Sequence, residues 1–169
     1  LTLNTCEKSR NTDSEGFSFP NQHFGIADQL NQGVRAFMLD VYDLFGTLTQ
    51  YHGSALLGTQ ALSSDLDEIK SFLDANSNEI VTLILECYVS ADDIESELIN
   101  TGLMPYVYTH LSGSVWPTLQ EMINLNKRLV VFSDVADASA SQAWYHYVWD
   151  FAVETHYSVN DVNDFTDDY

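Results

Sequence analysis

Positively charged residues are scarce in this chain of 169 residues. It has 6 Lys and Arg against 25 Asp and Glu, which gives a formal net charge of −19 at pH 7. A surface this negative repels the phosphates of nucleic acids and of anionic lipids. We therefore predict no nucleic-acid partner and no direct docking on an anionic membrane surface.

Long apolar runs and cysteines are also lacking. No apolar run approaches the ~20 residues that a spanning helix needs, so the sequence predicts no membrane span. The two cysteines, Cys6 and Cys87, are too few for a disulfide framework and do not have the spacing of metal ligands. They can form one bridge or remain as two buried thiols, and the sequence leaves both alternatives open.

The two ends of the sequence carry further expectations. The chain begins at Leu1 with no basic segment followed by an apolar one, which indicates a mature product or a fragment. Residues 156–169 are acidic and contain no Lys or Arg, so we expect a C-terminal tail after a single domain over residues 1–155. The acidic, Lys-poor and Tyr-rich composition favours a secreted, extracellular protein.

Short β-rich apolar runs predict the strands of a buried parallel sheet. Three clear runs lie at residues 34–41, 80–86 and 128–132, and a weaker fourth lies at residues 48–52. Amphipathic helices are predicted between them, at about residues 23–31, 64–76, 90–101 and 118–125, with Ser64 and Ser90 as N-caps. This alternation is typical of an α/β fold built from βα units with right-handed crossovers.

Polar residues follow the predicted strands at their carboxyl ends, where chemistry gathers in parallel α/β folds. Asp40 and Glu86 are each flanked by apolar residues, so both are predicted to be partly buried. A buried carboxylate needs a cation, a metal or several hydrogen-bond donors to stay charged. Because basic residues are few, a metal or shared hydrogen bonds are favoured. Asp43 and Asp134 are interpreted as turn or cap residues.

His52 is the candidate acid or base. It stands at the end of the fourth predicted strand and precedes a glycine, and an imidazole there can transfer protons near neutral pH. An equally good interpretation is a surface histidine at a turn. The other four histidines, and the aromatic residues between positions 144 and 151, are predicted to be packing residues.

Several segments together carry a family resemblance. They are residues 19–22 (FPNQ), 29–35 (QLNQGVR), 38–41 (MLDV), 51–53 (YHG), 72–76 (FLDAN), 79–82 (EIVT), 127–132 (KRLVVF) and 144–150 (WYHYVWD). In this order and spacing, the chain resembles the X region of phosphatidylinositol-specific phospholipase C-like phosphodiesterases, in their secreted microbial branch. The resemblance covers most of residues 11–155.

The resemblance implies a TIM-type barrel and a phosphoric diester hydrolase chemistry. That chemistry uses one histidine as general base, a second as general acid, and an arginine or a calcium ion to stabilise the phosphate. His52 matches the second histidine, and Asp40 and Glu86 match strand-end acids that are metal ligands in calcium-dependent relatives. The resemblance therefore implies Ca²⁺ as a cofactor and a phosphoinositide or another phosphodiester as the ligand.

The chain departs from the family pattern at the other positions that matter. The first histidine falls on Glu7, or on Cys6 with a shift of one residue; Glu7 is then a candidate base and Lys8 a candidate charge for the substrate. Tyr42 stands where the family has its arginine, on the substrate side, and Met38 stands where calcium-dependent members have a glutamate. Loss of one acid–base partner typically lowers a rate by ~10²–10⁴. The sequence therefore predicts weak or absent hydrolysis.

The length of the chain limits how much of a barrel it can form. A full barrel of this type takes ~250 residues, so we expect an incomplete, TIM-barrel-like parallel sheet of about five or six strands. Exposed sheet edges are normally paired or covered. That cover can come from ends of the chain that are removed after synthesis but remain associated. It can also come from a homo-oligomer or second chain, or from the tail itself. Two functions follow: a weak phosphodiesterase, or a catalytically lapsed extracellular structural, assembly or binding module.

Overall fold

The computed structural model describes residues 2–3, 24–51, 53–111, 113–137, 141–153 and 161. These residues contain one sheet of seven strands in the order β4-β3-β2-β5-β6-β7, with β1 paired to β2. The strands are β1 (Thr2–Leu3), β2 (Ala36–Leu44), β3 (Thr47–Gln50), β4 (Gln60–Ala61), β5 (Val81–Cys87), β6 (Leu129–Ser133) and β7 (His146–Tyr147).

The middle of the sheet is parallel, as the three clear apolar runs predicted. β2 pairs with β5 from Ala36 beside Thr82 to Val41 beside Cys87, and β5 pairs with β6 in the same sense. β7 continues the parallel arrangement beside β6. The prediction of an open, parallel-dominated α/β sheet is therefore confirmed for the described part of the chain.

The fourth predicted strand differs from expectation in its direction. β3 runs antiparallel to β2, and the two are joined by a tight hairpin at Phe45 and Gly46. Both turn residues have positive φ angles, 55° and 83°, which is the requirement of a type I′ turn. Asp43 Oδ1 accepts a hydrogen bond from the Gly46 amide at 2.6 Å, so its predicted role in a turn is confirmed. A parallel strand would need a much longer crossover than two residues.

Four helices lie in the described ranges, with short 3₁₀ turns between some of the elements. The helices are α1 (Ile26–Asn31), α2 (Leu62–Ala75), α3 (Ala91–Asn100) and α4 (Leu119–Asn124), and the 3₁₀ turns are Ala55–Leu57, Met104–Tyr106 and Val148–Asp150. The predicted N-cap of α3 is confirmed, because Ser90 and Asp93 form a reciprocal capping box. The predicted cap of α2 is wrong. That helix begins at Leu62 after Ala61, with no side-chain cap, and Ser64 lies inside it.

The hydrophobic core lies between one face of the sheet and the helices. In β5 the residues alternate: Val81, Leu83, Leu85 and Cys87 are buried against the helices, whereas the residues between them are half-buried. The helices contribute side chains such as Leu66, Ile69 and Leu98 to this core. The sequence predicted strands buried on both faces, so the alternation in β5 is a correction: helices cover one face of this strand.

Three other expectations can be compared with the described residues. None of the helices described is both long and apolar enough to cross a bilayer. Cys87 is a free thiol, 4% exposed, and burial raises its pKa. Cys6 lies outside the described residues, as does the predicted tail apart from residue 161. The domain boundary at residue 155 stays a prediction.

The core position of α2 gives a stability prediction. We expect Leu66→Ala to lower the free energy of unfolding by about 2–5 kcal/mol, because Leu66 is 2% exposed and its truncation leaves a cavity. Leu56→Ala is the matched control. Leu56 is 95% exposed, so its truncation should change the free energy by less than about 0.5 kcal/mol. Urea unfolding followed by circular dichroism measures both, and equal effects would contradict the assignment of the core.

Candidate functional site

The candidate site is built on two carboxylates at the carboxyl end of the parallel strands. Asp40 of β2 and Glu86 of β5 are register partners, on neighbouring strands that lie about 4.8 Å apart. Asp40 is 3% exposed and Glu86 is half-buried, as the sequence predicted. Residues paired in this way project to the same face of the sheet. The structure therefore brings these two predicted residues together.

Three tyrosines form a stack beside the carboxylates. The Tyr42 ring lies between those of Tyr51 and Tyr88, with centroid distances of 3.9 and 4.3 Å and interplanar angles of 12° and 8°. Tyr42 comes two residues after Asp40, and Tyr88 comes two residues after Glu86. The period of two along a strand therefore places the tyrosines above the carboxylates on the same face.

A hydrogen bond connects the tyrosine stack to the carboxylate pair. The Tyr88 hydroxyl donates to Glu86 Oε1 at 2.5 Å, and this bond is the largest cause of a strongly raised pKa for Tyr88. Burial raises the pKa of Tyr42, and the negative charges of Asp40 and Glu86 add to the rise. Both phenols are therefore neutral at physiological pH. They offer hydroxyl groups and ring surfaces but no positive charge.

A third acid, Asp134, lies directly after β6. Its Oδ1 accepts a hydrogen bond from the Cys87 amide at 3.0 Å, so it bridges the ends of β5 and β6. The sequence predicted a turn or cap residue at this position. In the structure, the Asp134 carboxylate instead accepts its hydrogen bond from the end of the neighbouring strand, β5. Burial raises the pKa of Asp134, and the charge of Glu86 raises it further.

The described basic side chains form their ion pairs and hydrogen bonds with groups other than Asp40 and Glu86. Arg35, which precedes β2, pairs with Glu79 at 2.7 Å, and Arg128, which precedes β6, donates to the carbonyls of Leu73, Asn76 and Glu79. Lys70 pairs with Asp74 on α2, and Lys127 donates to the Pro105 carbonyl. Both arginines thus lie at the amino end of the strands, away from the carboxylate pair.

Calcium was the predicted cofactor, and the donor set can be compared with what that ion needs. Carboxylate oxygens are the right type of ligand, but Ca²⁺ takes 6–8 oxygens. Within the ranges that the structure describes, no group of three or more His, Cys, Asp or Glu side chains could hold a metal ion. The described residues thus supply two carboxylates of the right chemistry and do not fit a complete, high-affinity calcium site.

The remaining predicted site residues have different outcomes. Tyr42 lies at the site as the central ring of the stack. His52, Glu7 and Lys8 lie outside the described residues. Their proposed roles therefore stay predictions.

Sequence reasoning missed two of the three stacked tyrosines. Tyr51 and Tyr88 were not singled out, although a usable signal was present. An aromatic residue two positions after a strand-end acid shares its face, and the chain has this pattern twice, at Asp40–Tyr42 and at Glu86–Tyr88. Tyr51 required knowledge of the hairpin, because only the antiparallel register places β3 beside Tyr42.

The prediction that other histidines serve packing is confirmed for two of them. His146 is 5% exposed and His110 is 6% exposed. His146 Nε2 accepts a hydrogen bond from the His110 backbone amide, and its Nδ1 lies 3.0 Å from the Val131 carbonyl. Burial lowers the pKa of His146, which keeps the ring neutral in this contact. Trp116 stacks on His110 with a centroid distance of 4.0 Å. His23 and His156 lie outside the described residues.

The link between Glu86 and Tyr88 gives a titration prediction. We expect Glu86→Gln to lower the pKa of Tyr88 toward the ordinary tyrosine value of 10, because the carboxylate that stabilises the neutral phenol is removed. NMR of ¹³Cζ-labelled tyrosine, followed as the pH is raised, measures this change. Glu79→Gln is the matched control, since Glu79 pairs with Arg35 and should leave Tyr88 unaffected. An unchanged Tyr88 titration in Glu86→Gln would contradict the assigned contact.

Comparisons with known proteins identify the family. The family model of the PI-PLC X region matches residues 13–167. A PI-PLC X domain-containing protein of Arabidopsis thaliana is 37% identical over 150 residues, which cover 83% of this chain and 35% of that protein. A protein of Arthroderma benhamiae described as an uncharacterized secreted protein is 30% identical over 155 residues, which cover 85% of this chain and 34% of that protein. The chain thus spans about a third of the length of these relatives.

Solved structures show the same fold. The phosphatidylinositol-specific phospholipase C of Staphylococcus aureus superposes with a TM-score of 0.56 at 19% identity, covering 78% of this chain and 46% of that enzyme. The corresponding Listeria monocytogenes enzyme has a TM-score of 0.51 at 20% identity, covering 78% of this chain and 50% of that enzyme. The open sheet therefore corresponds to part of a TIM-type barrel, and the chain belongs to the PI-PLC X family of phospholipase C-like phosphodiesterase homologues.

Proposed function

We propose that this member of the family hydrolyses phosphodiesters weakly or not at all. The observation that carries the proposal is the state of Tyr42, which stands where the family has its phosphate-stabilising arginine. Tyr42 is neutral, because its pKa is raised, and its ring is held between two other tyrosines. A neutral stacked phenol does not replace the charge of a guanidinium.

Electrostatics at the site support the same proposal. A transferring phosphoryl group needs preorganised positive charge, and loss of such stabilisation typically costs several kcal/mol. The described site offers Asp40, Glu86 and Asp134, while the described basic side chains pair elsewhere. These acids repel a phosphate unless a cation lies between them.

Calcium is the cation that we propose for this position. Asp40 and Glu86 would be its protein ligands, and a site with few charged ligands binds Ca²⁺ weakly, at Kd values of about 10⁻⁴–10⁻³ M in extracellular modules. A bound calcium ion supplies positive charge for a phosphate. Because the described donor set is incomplete, we assign it no step in the reaction.

The substrate class and the location complete the proposal. We propose a phosphoinositide headgroup as the ligand, because the solved structures with the same fold are phosphatidylinositol-specific enzymes. We propose an extracellular setting, which the secreted relative supports and which provides calcium at the concentration that a weak site needs. His52 and Glu7 would be the acid–base pair.

A vesicle assay tests the proposal. Phosphatidylcholine vesicles that contain phosphatidylinositol are incubated with the chain, with millimolar calcium or with a chelator, and released inositol phosphate is measured. With the chelator, we expect no release above the blank. With calcium, we expect a rate at least ~10²-fold below that of a bacterial phosphatidylinositol-specific phospholipase C under the same conditions.

Two variants assign any residual rate to the site. Asp40→Asn and His52→Ala should each abolish the calcium-dependent release. Glu79→Gln, at the other end of the strands, is the control that should keep the wild-type rate. A rate within tenfold of the bacterial enzyme, or release that is independent of calcium and of His52, would overturn the proposal.

A structural role is the second candidate, and an apolar stripe on the half-buried face of the sheet favours it. Met38, Ile84 and Phe132 are register neighbours on β2, β5 and β6, on the face opposite the helices, and all three are half-buried. An apolar stripe of this kind is normally covered. We propose a second copy of the chain as its cover.

Light scattering after size-exclusion chromatography tests this second candidate. At physiological salt, which screens the net charge of −19 beyond about 8 Å, we expect a mass well above that of one chain. Ile84→Asp should return the protein to a monomer, because it places a charge in the middle of the stripe. Leu56→Asp, at a position that is 95% exposed, is the control that should not change the mass. A monomeric wild type would rule out this candidate.

A further inference from the structure

A buried carboxylate outside the candidate site has no part in the proposed function. Asp65 lies in the first turn of α2 and is 0% exposed. Gln50 Nε2 donates to its Oδ2 at 2.7 Å, and Gln60 Nε2 donates to its Oδ1. Both glutamines are themselves buried, at 2% and 8% exposed. Each carboxylate oxygen thus accepts a hydrogen bond from a neutral amide.

The two glutamines occupy opposite ends of one loop. Gln50 is the last residue of β3 and Gln60 is the first residue of β4, and the two are register partners in the antiparallel pair. Residues 51–59 form the connection between them. Asp65 therefore ties both ends of this loop to the start of α2. We call Gln50, Asp65 and Gln60 the carboxylate clamp.

The first residue of the clamped loop belongs to the candidate site. Tyr51 directly follows Gln50, and its ring stacks on Tyr42 at a centroid distance of 3.9 Å. We propose that Asp65 is a positioning residue, which acts through Gln50 and Gln60 to hold Tyr51 in the tyrosine stack beside Asp40 and Glu86. The inference goes beyond the proposed function, since it concerns the geometry of the stack and not its chemistry.

The physical basis of the positioning is the cost of leaving buried polar groups without partners. If the carboxylate is removed, the buried amide groups of Gln50 and Gln60 lose acceptors that water does not readily replace. The chain relieves this cost by moving the loop ends so that the amides reach solvent. Such a movement carries Tyr51 with it, because Tyr51 is adjacent to Gln50 in the chain.

The position of Asp65 in α2 adds a second constraint. The N-terminal end of a helix carries partial positive charge, which favours a carboxylate in the first turn. Because α2 begins at Leu62 without a side-chain cap, this end of the helix lacks the usual cap interaction. Asp65 therefore stabilises the start of α2 and also accepts hydrogen bonds from both ends of the loop.

NMR of the tyrosine rings tests the proposal directly. The wild-type chain should show nuclear Overhauser contacts from the Tyr42 ring to the rings of both Tyr51 and Tyr88. We expect Asp65→Leu to lose the Tyr42–Tyr51 contacts and the associated ring-current shift of Tyr42. The Tyr42–Tyr88 contacts should remain, because Tyr88 is attached to β5 and not to the clamped loop.

A conservative variant separates positioning from general stability. In Asp65→Asn the side chain can accept from one glutamine and donate to the other after an amide rotates, so both hydrogen bonds persist and the Tyr42–Tyr51 contacts should be restored. Leu98→Ala is the control for destabilisation. It truncates a residue that is 1% exposed on α3, and the tyrosine contacts should survive despite a loss of stability.

A milder variant covers the case in which Asp65→Leu does not fold. Gln60→Met removes one arm of the clamp and leaves the Gln50–Asp65 bond, so we expect weakened Tyr42–Tyr51 contacts in a folded protein. Unchanged contacts in folded Asp65→Leu or Gln60→Met would overturn the proposal, as would an equal loss in Leu98→Ala. These measurements need neither hydrolysis nor calcium, so their outcome is independent of the proposed function.

Discussion

Hydrogen bonds between β2 and β5 fix the position of the other groups at the candidate site. Paired residues run from Ala36 beside Thr82 to Val41 beside Cys87, and within this ladder Asp40 is placed beside Glu86. A slip of one residue would turn the carboxylates toward the helices and bring Leu39 or Leu85 to the other face. Because that slip would expose the buried leucines to water, the hydrophobic core specifies the geometry of the polar site.

The same register explains why the site is acidic and aromatic. Side chains above the carboxylates come from the next residues on the same face, and in this chain they are Tyr42 and Tyr88. Neutral phenols can lie beside two carboxylates, since they donate hydrogen bonds and do not add charge. Arg35 and Arg128, the two arginines that the structure describes, in contrast satisfy carbonyls and Glu79 at the amino end of the strands. Among the described residues, positive charge is thus separated from the carboxylate pair.

Much of the fold could be predicted from the sequence, because the apolar runs and the caps are local signals. The parallel order of β2, β5 and β6 and the cap at Ser90 are examples. The direction of β3 was missed, because a Phe-Gly turn with positive φ at phenylalanine is a weak local signal. At the site, the proximity of Asp40 to Glu86 followed from the strand-end pattern. The place of Tyr51 in the stack and the clamp itself depend on pairing between segments that no periodicity reveals.

The thiol of Cys87 has a consequence for how the sheet can be followed in solution. Cys87 is the last residue of β5, in the middle of the sheet, and it is 4% exposed. Burial also raises its pKa, so little of the thiol is present as the reactive thiolate, and oxidants and alkylating reagents have little access to it. Modification therefore requires the end of β5 to open first. The rate of alkylation at this sulfur therefore reports how often the end of β5, the strand that carries Glu86, opens locally.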